Sequence, residues 1–192
     1  MQDPRWESEF VPILTGPQCS HVYTVGHSMG GYLASLFAAC ANWDDLLEVS
    51  PGMQAITVDK VYTFGAPATG PHAPQNRLSS SGCFEGARFF INDEFAYDYS
   101  PAVFSVANYQ HPHITPVALG LDRDSQLTYR TPADCSSIVG PTIPHDWDLL
   151  YDEVIDGSIT RHSKQNSTAL HDFNLYLSRI AEVLGRTAEL SR

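Results

Sequence analysis

The 192-residue sequence predicts an α/β domain with a mostly parallel sheet flanked by helices. Three observations predict it. β-branched and aromatic runs recur at residues 21–25, 58–64 and 87–92, the pattern of buried strands. Tyr32–Ala39, rich in helix formers, follows the first run almost directly. Leu170, Phe173, Leu177, Ile180 and Leu184 fall at helical spacing, predicting an amphipathic helix from about Thr168 to Leu184. No internal repeat interrupts this order, so residues 1–192 are read as one domain.

In chain order, residues 4–14 predict a short helix, with Pro4 near its start and Trp6, Phe10, Ile13 and Leu14 on one face. Pro12 counts against its regularity, and Thr15-Gly16-Pro17 breaks the chain before the first strand. Asn42–Thr57 reads as a polar connection and residues 68–86 as a surface loop rich in Gly, Pro and Ser. Between them, Val58–Phe64 is a strand closed by Gly65-Ala66-Pro67, and Ala87–Asn92 is the third strand. His113–Leu119 and Gln126–Arg130 predict a β-ribbon, weakened by nearby prolines.

Bulk properties exclude several classes. At 43% hydrophobic and 17% charged, the chain is globular. No run of about 18 apolar residues predicts a transmembrane segment, and Met1–Glu7 lacks the basic start and apolar stretch of a signal peptide. A formal charge of −11 argues against nucleic acid and against basic docking onto anionic lipid. The four cysteines, Cys19, Cys40, Cys83 and Cys135, are not at zinc-ligand spacing, so no metal is expected. Cys40 reads as a small buried thiol on the helix. Cys83 and Cys135 lie in loop-like sequence and can pair in an oxidising compartment. Together with the Asn166-Ser167-Thr168 sequon they lean towards secretion.

The chemistry gathers at Gly26-His27-Ser28-Met29-Gly30, a Gly-x-Ser-x-Gly run between a strand and a helix. That context is a nucleophile elbow, in which the serine hydroxyl is pushed out above the sheet. Gly26 and Gly30 are expected where a Cβ would collide as the chain reverses. A serine hydroxyl needs a general base, usually a histidine oriented by a carboxylate. Groups just past the ends of parallel strands are placed to supply them. Asp93 and Asp98 both follow the third strand, and position alone slightly favours Asp93. Of eight histidines, His21 lies on the strand, His27 inside the elbow, His72 in an exposed loop, and His111 and His113 near the pocket. His145, His162 and His171 all obey the order Ser, Asp, His. His171, at the first turn of the last helix, has the most rigid support.

Val25–Gly31 followed by Ala34-Ser35-Leu36 resembles the class 3 (fungal-type) lipases of the α/β-hydrolase superfamily. Val61–Pro67 is similar to that family's Tyr-Thr-Phe-Gly-x-Pro signature, although Ala68-Thr69-Gly70 replaces its usual Arg-Val-Gly. Asp98-Tyr99-Ser100-Pro101 has the spacing of the family's Asp-x-Val-Pro, with Ser100 in place of valine, and moves the choice of acid to Asp98, with Asp93 the alternative. Tyr109-Gln110-His111 and His171-Asp172-Phe173 resemble later family positions. The resemblance implies a partial α/β-hydrolase fold and a carboxylic ester hydrolase similar to a triacylglycerol lipase. Ser28 would be the nucleophile, His171 the base, Asp98 its orienting acid and the Met29 N–H an oxyanion donor. It implies no cofactor and an acylglycerol or other ester substrate at a lipid–water interface.

Only 27 residues precede Ser28, where the family carries further strands, a lid and a second oxyanion donor. The chain is therefore expected to correspond to the C-terminal portion of the family's domain, with a bared sheet edge. The alternative expectation is a catalytically impaired fragment or non-catalytic binding module lacking the oxyanion loop.

Overall fold

The computed structural model describes residues 5–43, 56–91, 100–103, 109–121, 127–130, 135 and 171–190. Five strands form one sheet in sequential order: β1 (Tyr23–His27), β2 (Lys60–Phe64), β3 (Phe84–Ile91), β4 (Ile114–Leu121) and β5 (Leu127–Arg130). β1 to β4 are parallel and β5 returns antiparallel to β4. The expected α/β architecture is therefore present, and the ribbon at its far end extends the main sheet rather than standing apart.

Helices cover both faces. A π-helical turn (Trp6–Phe10) runs into α1 (Val11–Leu14), where Pro12 lies in the first turn and needs no amide donor. α2 (Met29–Ala41) packs Ala38, Ala39 and Ala41 against Val61, Phe84 and Ile114, with Trp6, Val11, Leu14 and Phe37 at the margin. Small alanines allow α2 to lie close to the sheet. α3 (Ser100–Val103) is a single turn beyond β3, and α4 (Phe173–Leu190) closes the opposite face. There Tyr176 packs with Phe64, Ile91 and Leu119. The two-residue period of β2 divides the cores: Val61 faces α2, whereas Tyr62 and Phe64 face α4.

Three expectations change. Cys40 is exposed rather than buried, because the alanines, not the thiol, occupy the inner stripe of α2. β3 begins at Phe84, within the stretch read as loop. α4 starts at Phe173, so His171 precedes the helix instead of lying in its first turn. Cys83 and Cys135 are joined by a disulfide, the pairing open in the sequence. Among the described residues no helix is long and apolar enough to cross a membrane.

Candidate functional site

Ser28 sits where β1 ends and α2 begins, at φ 55° and ψ −129°. It is the single non-glycine residue with positive φ among the described residues. Such backbone costs free energy and persists only where its surroundings impose it. Here they do. The Ser28 N–H donates to the Phe64 carbonyl at 2.9 Å, and the Ser28 carbonyl accepts from Gly31 N–H at 2.9 Å. A Cβ on Gly26 would overlap the backbone of Gly30 and Gly31. Gly30 departs from expectation, since a Cβ there meets nothing within 4 Å. The crowded position is Gly31, whose Cβ would stand 2.7 Å from that of Ala66 and 2.9 Å from the Gly26 carbonyl oxygen.

His171 comes to Ser28 from 143 residues away, its Nε2 lying 2.7 Å from Ser28 Oγ. With the hydroxyl donating to Nε2, the neutral ring carries its proton on Nδ1. Asp172 fixes the chain immediately after His171. Its carboxylate accepts from Asn174 N–H at 2.8 Å, the side-chain cap of α4. Tyr176, two residues beyond Asn174, is fully buried, and its hydroxyl accepts from Ile91 N–H at 3.3 Å. Arg179 donates to the Leu119 carbonyl at 3.3 Å. α4 is thereby pinned to the ends of β3 and β4, and His171 with it.

His27, set aside as a base by its place in the elbow, touches His171 directly. Its Nε2–H donates to the His171 carbonyl at 2.8 Å, and the ring centroids are 4.5 Å apart. Phe173 and Tyr176 also lie near His27, with ring centroids at 5.4 and 6.0 Å. Nothing in the local sequence signals this contact, which depends on α4 packing across the sheet. Ser100 is the other addition: its Oγ is 3.2 Å from His171 Nε2.

Met29 is the first residue of α2, so its amide belongs to the group that has no acceptor within a helix. The positive end of the helix dipole lies at the same point. This is the place where negative charge developing beside Ser28 would be stabilised.

Asp93, Asp98, His145, His162 and Asn166 lie outside the described residues. His21 is exposed, 3.6 Å from Asp59, and His72 is exposed in its loop. His111 is buried, donating Nε2–H to the Pro101 carbonyl at 2.9 Å. Burial, then the charge of Arg88, push its pKa well below 6.5, against the opposing effect of the bond to Pro101. Arg88 itself is lowered to about 10 by burial and stays cationic at neutral pH. It stacks over Phe90, 5.4 Å from the ring centroid. Among the described residues no group of three His, Cys, Asp or Glu side chains could hold a metal ion.

No curated protein and no solved structure matches the chain. The family model for Lipase (class 3) matches residues 8–98, a span containing the elbow, β1 to β3 and α2. Residues 8–98 are thus similar to class 3 lipases, and the parallel sheet beneath Ser28 is consistent with a partial lipase domain of the α/β-hydrolase superfamily.

Proposed function

We propose that this chain is a serine esterase that hydrolyses acylglycerols or related carboxylic esters through an acyl-enzyme. The carrying observation is the 2.7 Å approach of His171 Nε2 to Ser28 Oγ on a strained elbow. The family match supports a lipase-like ester hydrolase. In this reading Ser28 Oγ attacks the acyl carbon while His171 Nε2 takes its proton. The Met29 N–H bonds the tetrahedral oxyanion. His171 then protonates the departing alcohol, and water repeats the sequence on the acyl-enzyme.

Asp98 is the proposed orienting carboxylate for His171 Nδ1. Its support is its spacing to Pro101 and its place two residues before Ser100, which reaches the same ring. Asp93 is the alternative. Replacing the acid should leave the wrong tautomer populated and lower turnover by about 10³–10⁴. Asp98→Asn should show that loss and Asp93→Asn should not; the reverse result would exchange the two.

An alkyl fluorophosphonate should label wild-type protein at Ser28, identified by peptide mass, and Ser28→Ala should abolish the label. Folded wild-type protein that stays unlabelled would sink the reading. Turnover of tributyrin emulsion against soluble p-nitrophenyl butyrate then tests whether acylglycerols are the preferred esters.

A further inference from the structure

Two hydroxyls face one nitrogen in this site. Ser28 Oγ lies 2.7 Å from His171 Nε2, and Ser100 Oγ lies 3.2 Å from the same atom. A neutral imidazole offers a single lone pair at its unprotonated nitrogen. Both contacts are hydrogen bonds; the shorter is the tighter, and the longer lies at the far end of the range. Ser28 therefore has the stronger claim on the lone pair, with Ser100 bonded more weakly beside it.

Ser100 is half-buried and held in place. It opens α3, and the next residue, Pro101, is buried and accepts the 2.9 Å bond from the buried His111 ring. Proline also fixes its own φ, so the turn that carries Ser100 has little freedom. A hydroxyl fixed next to a base, and bound to it more weakly than Ser28, bears on the second half of the proposed reaction. Once Ser28 is acylated it has no proton to donate, and its claim on Nε2 is gone.

Resting on the reading of Ser28 and His171 as nucleophile and base, we propose that Ser100 positions the water that hydrolyses the acyl-enzyme. The water donates one hydrogen to His171 Nε2 and the other to Ser100 Oγ, leaving its oxygen lone pair towards the acyl carbon. As the new C–O bond forms, His171 takes the first proton. It returns that proton to Ser28 Oγ as the acyl C–O bond to Ser28 breaks, releasing the carboxylic acid. A hydrocarbon side chain at position 100 leaves the water with one anchor. Ser100 is thus a positioning residue for deacylation and has no part in acylation.

The test uses p-nitrophenyl N,N-dimethylcarbamate, whose poorly electrophilic carbamoyl group makes the second step slow. Release of p-nitrophenolate reports carbamoylation, and intact mass after removal of reagent reports recovery of Ser28. In Ser100→Ala and Ser100→Val, recovery should slow about three- to tenfold, the loss of one hydrogen bond, while carbamoylation keeps its rate. Ser100→Thr should restore recovery. Recovery that is unchanged or faster in both variants overturns the inference while leaving Ser28 as nucleophile. An equal fall in both steps also overturns it, since that marks simple support of the His171 ring. Wild-type protein that is never carbamoylated at Ser28 overturns the underlying reading instead, and this inference with it.

Discussion

At the scale of single residues, the elbow glycines separate sterics from motif. Gly26 and Gly31 are fixed by close backbone or side-chain neighbours, whereas Gly30 faces open space. Gly26→Ala should destabilise by about 1–3 kcal/mol through overpacking. Gly30→Ala should instead raise stability by about 0.5–1 kcal/mol, the helix preference of alanine over glycine. Urea midpoints of the two variants check the contrast. His111 supplies a pH effect. Because burial keeps its folded pKa well below the ordinary 6.5, the unfolded chain binds a proton there that the folded chain does not. Stability from this group is then complete above pH 6.5 and falls as pH drops below it, by at most about 1.4 kcal/mol per pH unit. His111→Gln should therefore lose less stability than wild type between pH 7.5 and 5.5, and equal losses would refute the assignment. Ser28 was legible because an elbow is a local pattern. The contacts of His27 and Ser100 with His171 were not, since each joins residues at least 71 positions apart.

Element boundaries were blurred by residues with two possible meanings. Gly86 reads as loop, yet it lies inside β3 at φ 117°, where the register with β4 shifts between Phe84 and Arg88. A Cβ there would overlap the Val61 carbonyl, so glycine marks a close approach of strands rather than a turn. Leu170 falls in phase with α4, but Asp172 caps the helix and starts it two residues after His171. The periodicity gave the helix; the cap gave its end. That cap matters to the site because it fixes the chain immediately beyond His171. Asp172→Ala should cost about 1 kcal/mol and slow fluorophosphonate labelling of Ser28 more than it lowers the melting temperature would suggest for an exposed surface change. Asp172→Asn, which keeps a capping oxygen, should recover both. Loss of labelling in the asparagine variant would point to the charge rather than the cap.

For the molecule as a whole, a mostly parallel sheet flanked by helices was legible, because the alternation of strand and helix patterns leaves few other arrangements. Cover of the α4 face is uneven. Tyr23 and Val25, 51% and 61% exposed, lie in register with Lys60 and Tyr62 at the β1 edge of that face. A β-rich edge of this kind favours association between chains. At the opposite side, stability is borrowed from covalent chemistry. The Cys83–Cys135 disulfide ties the start of β3 to a point 52 residues on, across the segment that contains α3, β4 and β5. Closing a loop of that length removes about 4 kcal/mol of unfolded-state entropy in the chain-entropy account, with about 2–4 commonly measured. That is a large share of the about 5–15 kcal/mol that holds an ordinary domain together. The double variant Cys83→Ser, Cys135→Ser should therefore show a clearly lower urea midpoint than oxidised wild type. Wild type in excess reductant should match the variant, while the variant itself should not respond to reductant. A wild-type midpoint indifferent to reductant, with the bond shown broken by thiol alkylation, would mean that packing around β3 and β4 carries the stability alone.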